Sequence, residues 1–182
     1  MSVSAPTTNF DLGRARDLRG RGFHVWNRRV ILALMAAFVA ASLAGAFGQA
    51  PSVRTAASDS MALRVQMPEQ VRGGLMFPVQ IEVRATENVS SPQVVIGPGF
   101  VEGMHLNTLE PAPVSETTRP PKNGEPGALA LTYPSLEAGD TLTVYLQLQA
   151  NPTTVGNQDV SVSVEGPGVD AVRSAGTLRV LP

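Results

Sequence analysis

The sequence predicts a mainly β protein, an immunoglobulin-like two-sheet β-sandwich preceded by one transmembrane α-helix. Three observations predict it. An uncharged apolar run starts at Val30, directly after a stretch rich in arginine. Beyond residue 60 the apolar positions recur every second residue, the period of a strand with one buried and one wet face. Glycine and proline, 17 and 15 of the 182 residues, fall mainly between those runs and cut them into short strands.

Residues 1–29 carry six arginines (Arg14, Arg16, Arg19, Arg21, Arg28, Arg29) against Asp11 and Asp17, whereas the remainder of the chain is acidic. Val30 to Phe47 holds no charge, and the uncharged stretch continues to Ala50. As a helix, residues 30–50 would span about 31 Å at 1.5 Å per residue, close to the hydrocarbon thickness of about 30 Å. Arginines on the N-terminal side predict a cytoplasmic tail over 1–29 and an exported C-terminal part. Trp26 stands where an interfacial aromatic belongs. The basic tail is therefore read as a topology signal and not as a nucleic-acid site. The expectation is an uncleaved signal anchor in the cell membrane. The competing reading is a cleaved signal peptide, with Ala44-Gly45-Ala46 as its small-x-small site. Asn27-Arg28-Arg29 also has the look of a twin-arginine signal. Within the run, Ala37, Ala41 and Gly45 form a small-residue stripe, the type of surface on which helices pack closely in lipid. An alanine-rich composition yields the same spacing with no partner.

Residues 51–60 read as a polar linker, and 61–182 as the exported sandwich. Its strands are announced by Met61, Leu63, Val65 and Met67; by Phe77, Val79, Ile81 and Val83; by Leu129, Leu131 and Tyr133; by Leu142, Val144, Leu146 and Leu148; and by Val160, Val162 and Val164. Shorter strands are expected at 93–96 and around Leu178 and Val180. The phase buries Phe77 and Tyr133 and leaves Tyr145 outside. The 110–127 stretch is the longest irregular run, with prolines that keep it extended and discourage edge pairing. Pro111, Pro113, Arg119, Pro120 and Pro121 are its candidate partner contacts, with an ordinary surface loop as the alternative.

Chemistry is sparse. Without cysteine there is no thiolate metal site, no disulfide and no cysteine nucleophile. The two histidines, His24 and His105, exclude a multi-histidine centre. No G-x-S-x-G or S-x-x-K motif accompanies His105, and Glu82, Glu87 and Glu102 have no spacing that marks a carboxylate pair. Gly97-Pro98-Gly99 lacks the run of N–H donors that a phosphate loop needs. No enzyme, no cofactor and no resident metal are expected. The alternative is an exported metal or small-ligand binder. Met61, Met67, Met76 and the Met104-His105 pair offer soft and borderline ligands for copper, though Met61 and Met67 fall in core phase. A carbohydrate platform is poorly supplied, because few aromatics lie beyond the apolar run.

Met67-Pro68, Val71-Arg72-Gly73-Gly74-Leu75, Pro78-Val79-Gln80-Ile81-Glu82-Val83, Leu109 to Thr117 and Gly139 to Val144 carry a resemblance. The chain resembles a group of uncharacterised actinobacterial single-pass membrane proteins with an exported immunoglobulin-like β-sandwich domain. The resemblance spans most of residues 28–165 and rests on structural motifs. It implies no activity and transfers no catalytic residue. It implies an accessory protein beside a multi-pass membrane partner. The expected function is thus a non-enzymatic, membrane-anchored accessory or interaction protein, its partners being the bilayer and a membrane protein reached through the helix or the 110–127 stretch.

Overall fold

The computed structural model describes residues 21–44, 51–121 and 127–182, with side chains from Val25 onward in the first segment. The chain divides into two compact units, Met1–Gly48 and Gln49–Pro182.

The first unit contains one helix, α1 (Arg21–Leu43). Its part from Val25 to Leu43, 19 residues, is long and apolar enough to cross a membrane, and none of it is buried against protein. Leu34, Met35, Phe38 and Leu43 all lie exposed. The helix starts nine residues ahead of the expected 30–50 span, because no proline lies between Arg21 and Arg29 and the one glycine, Gly22, falls in the first turn. Residues 45–50 of that span lie outside the described residues.

The second unit is two sheets packed face to face. The first contains β1 (Pro51–Ala57), β2 (Met61–Pro68), β4 (Met76–Ala85), β9 (Thr141–Ala150) and β6 (Met104–Glu110), in the order β1-β2-β4-β9-β6. The second contains β3 (Gln70–Arg72), β11 (Val169–Leu181), β10 (Gly156–Gly166), β5 (Gln93–Ile96), β8 (Ala128–Thr132) and β7 (Ser115–Arg119), in the order β3-β11-β10-β5-β8-β7. All pairings are antiparallel except β3 with β11. A short helical turn, α2 (Pro98–Val101), follows β5 and buries Phe100. The expected mainly β sandwich fold is the one observed.

The core follows the alternation. Met61, Phe77, Ile81, Val83, Val94, Leu131, Val144, Val164 and Leu178 are wholly buried and form one cluster between the sheets. Tyr133 is buried and Tyr145 is exposed, as their phase predicted.

Two boundaries need correction. Residues 51–57 are not linker but an edge strand in register with β2, from Pro51 opposite Pro68 to Ala57 opposite Ala62. The 110–127 stretch is not an irregular loop throughout, because Ser115–Arg119 pairs with β8 along its whole length. Both strands lie at sheet edges, where little apolar surface is needed to hold a strand in place, so neither shows the period-2 hydrophobic signal.

Candidate functional site

In α1 the residues Ala33, Ala37 and Ala41 repeat at four-residue spacing and so share one helix face. Ala37 is exposed and Ala41 half-buried. Gly45, the third nominated position of the stripe, lies outside the described residues. The face is available for close helix contact.

The other nominated positions lie along edge strand β7: Pro111 and Pro113 in its connection from β6, and Arg119, Pro120 and Pro121 at its end. Pro111 is exposed, and its carbonyl accepts a 3.3 Å hydrogen bond from the Tyr133 hydroxyl. Val114 N–H donates to the Thr132 carbonyl at 2.8 Å, so the connection is held at both ends; Pro113 is half-buried within it. Burial, and secondarily the Glu116 carboxylate, push the Tyr133 phenol up to about 12. Tyr133 is therefore a neutral hydrogen-bond donor that fastens this edge, with no role as a base.

Arg119 is not a free contact residue. Its two terminal nitrogens donate to both Glu165 oxygens at 3.1 and 2.9 Å, and Nη2 also donates to Gln93 Oε1 at 2.9 Å. The side chain thus reaches from edge strand β7 across the outer face of β8 and β5 to β10. Beneath it, the outward-facing Ala130 and Val95 are only 3% and 7% exposed. Pro120 and Pro121 remain exposed at the end of β7.

On the same outer face is a groove of about 580 Å³ bordered by Arg119, Pro120, Pro98 and Arg173 and floored by Ala128 and Ser161. A second hollow of about 630 Å³ continues past Ser161 and Arg173 to Asp159 and Thr177. Sequence reasoning missed this surface. Its outward alanines and serines have the composition of any wet strand face, and only the long side chains at its rim turn that face into a groove. Its polar groups are largely engaged with one another: Arg119 with Glu165, Arg173 with Ser161 at 3.4 Å, Thr177 with Asp159 at 3.4 Å.

The candidate copper ligands are separated. Met61, Met67 and Met104 are core residues, while His105 and Met76 point out of the sheet. Alternation forces Met104 and His105 onto opposite faces of β6. Met76 and His105 both pair with Gln149, from β4 and β6 on either side, so a full strand stands between them. The three glutamates are separated too. Glu82 pairs with Arg64 at 3.0 Å on the outer face of the first sheet. Glu87 accepts from the Ser60 hydroxyl at 3.0 Å at one pole of the sandwich, and Glu102 ends α2 at the other. Among the described residues, no group of three or more metal-binding His, Asp or Glu side chains converges.

No family model and no curated protein matches the chain. Among solved structures it is similar to a cohesin module from a Clostridium perfringens family 33 glycoside hydrolase, at 12% identity and a TM-score of 0.43, covering 68% of this chain and 98% of that one. It is also similar to the GAE domain of Gga2p from Saccharomyces cerevisiae, at 9% identity and a TM-score of 0.39, covering 73% of this chain and 98% of that one.

Proposed function

We propose that the protein is a non-enzymatic interaction module: α1 anchors it in the membrane, and the sandwich stands outside the cytoplasm to engage a membrane or envelope partner. The observation that carries the reading is the contrast between the two units. A 19-residue apolar stretch in which no residue is buried precedes a separate unit with its own complete core. An apolar helix of that length needs lipid or another helix to cover it. Arg28 and Arg29, within the first turns of that stretch, favour a cytoplasmic start. The non-enzymatic part is supported by the dispersal of the ionisable side chains described above, which stand singly or in surface ion pairs.

Partner contact would run through the Ala37–Ala41 face in the bilayer and through the β7 edge with Pro111, Pro113, Pro120 and Pro121 outside it. Purification of the intact chain in mild detergent tests this. A stoichiometric membrane-protein partner should be retained by the parent chain and lost when Ala37 and Ala41 are both replaced by leucine. A monomer indifferent to that replacement would sink the helix contact. Full extraction by alkaline carbonate would sink the anchor.

A further inference from the structure

We propose that one pole of the sandwich rests on the bilayer and inserts Leu75, Met76, Val101 and Val155 at its headgroup–acyl boundary. The proposal rests on the reading of α1 as a membrane anchor and adds a second, peripheral contact made by the folded module itself.

Leu75 lies in the β3–β4 turn, Met76 opens β4, Val101 ends α2 and Val155 lies in the β9–β10 turn; they are 50%, 53%, 41% and 54% exposed. Hydrogen bonds join those turns into one surface. Gly74 N–H donates to the Ala150 carbonyl at 2.8 Å, and Asn151 N–H to the Gly103 carbonyl at 2.9 Å. The Thr154 hydroxyl donates to the same Gly103 carbonyl at 3.1 Å. Gly103, at φ +78°, and Gly74, at φ +82°, make the tight turns through which the chain passes between this pole and the strands β6 and β4. Aliphatic residues at turn tips are unusual, because turns ordinarily carry polar residues to water.

The occupant follows from the chain itself. Pro51, the first residue of β1, lies at this same pole, since it pairs with Pro68 at the end of β2 and β4 begins beside it. Only residues 44–50 separate it from the last residue of α1, a connection that reaches about 28 Å at most when fully extended. Charge agrees with the direction. At this pole Glu69 and Glu102 are balanced by Arg72 and Arg179. The opposite pole exposes Asp59, Glu87, Glu137, Asp140 and Asp170 with Arg84 as the nearby cation, and an anionic lipid surface repels it. Shallow insertion of half-exposed aliphatic side chains next to a tether is the arrangement in which modest apolar area suffices, because the anchor already holds the module at the surface.

The absence of cysteine makes the test clean. The full chain is reconstituted into phosphatidylcholine–phosphatidylglycerol vesicles with single cysteines in place of Leu75, Val155, Ala36 or Ala138. Each cysteine carries an environment-sensitive fluorophore, read against brominated lipid and aqueous iodide. Labels at 75 and 155 should shift to the blue and be quenched by brominated lipid, though less than a label at 36, while a label at 138 at the far pole should respond only to iodide. Labels at 75 and 155 that behave like the one at 138, with 36 still quenched by brominated lipid, would overturn this proposal and leave the anchor intact. Labels at 75 and 155 shielded from iodide without lipid quenching would overturn it in favour of a protein contact. Loss of lipid quenching at 36 would overturn the anchor and this proposal together.

Discussion

Arg119 and Glu165 meet in a two-pronged ion pair, at 3.1 and 2.9 Å, that ties edge strand β7 to β10 over the two strands between them. Both side chains keep more than a third of their surface in water. Such a pair stabilises by under about 1 kcal/mol once solvent screening is allowed for. Its larger effect is to cover Val95 and Ala130. A double-mutant cycle with Arg119→Ala and Glu165→Ala, read by urea unfolding, should give a coupling below about 1 kcal/mol. Hydrogen exchange in β7 should nevertheless quicken in either single variant. An unchanged β7 would mean that backbone pairing alone holds the edge.

A second tie is made at the other edge. Arg54 points inward from β1 and donates to the Thr177 carbonyl at 3.1 Å, with Met67 Sδ at 3.6 Å. A Cβ on Gly176 would fall on the Arg54 guanidinium. Gly176→Ala should therefore reproduce the effect of Arg54→Ala, a loss of about 0.5–1.5 kcal/mol. The double variant should be little worse than either single one. Additive losses in denaturant unfolding would show that the two residues act apart.

The core sets the largest effects. Phe77 is fully buried on β4, between the sheets. Phe77→Ala should cost about 3–5 kcal/mol, whereas Tyr145→Ala, on the exposed side of β9, should stay within about 0.5 kcal/mol. Thermal unfolding of the two variants separates them, and equal losses would contradict the assigned faces.

Tyr133 gives a pH signature. Its phenol is raised from the ordinary 10 to about 12, so the folded state favours the protonated form more than the unfolded chain does. The stability this contributes is complete below pH 10 and is lost as pH rises from 10 towards 12. Urea midpoints of the parent chain should fall across that interval, and Tyr133→Phe should flatten the fall. Below pH 10 the same variant should lose only the hydrogen bond to Pro111, about 0.5–1.5 kcal/mol. An equal alkaline slope in both proteins would contradict the assignment.

What the sequence made legible was the part governed by a buried face. β2, β4, β8, β9 and β10 follow the alternation in sequence, and the apolar positions read from it are buried, apart from Leu129 and Leu142, which are half-buried. β1 escaped because its inward positions are Ser52, Arg54 and Ala56, and β7 because Ser115–Arg119 holds no apolar residue. In β6 a register shift between Leu106 and Thr108 interrupts the alternation. In β11 the inward positions include Ser174 and Gly176, which hid all but its last turn of pattern. The engagement of Arg119 was invisible for a different reason. Its partner lies 46 residues away, on a strand that the sheet order brings within reach, across two strands.

Labelling of intact cells decides whether α1 anchors the chain with its sandwich outside the cytoplasm. Single cysteines at Thr7 and at Asp59 are exposed to a membrane-impermeant maleimide, and the carbonate-resistant membrane fraction is then analysed by intact mass. An anchored chain with an exported sandwich should be retained in the membrane at full length and labelled at 59 and not at 7. Labelling at 7 but not at 59, or a released species that lacks the helix, would contradict that arrangement.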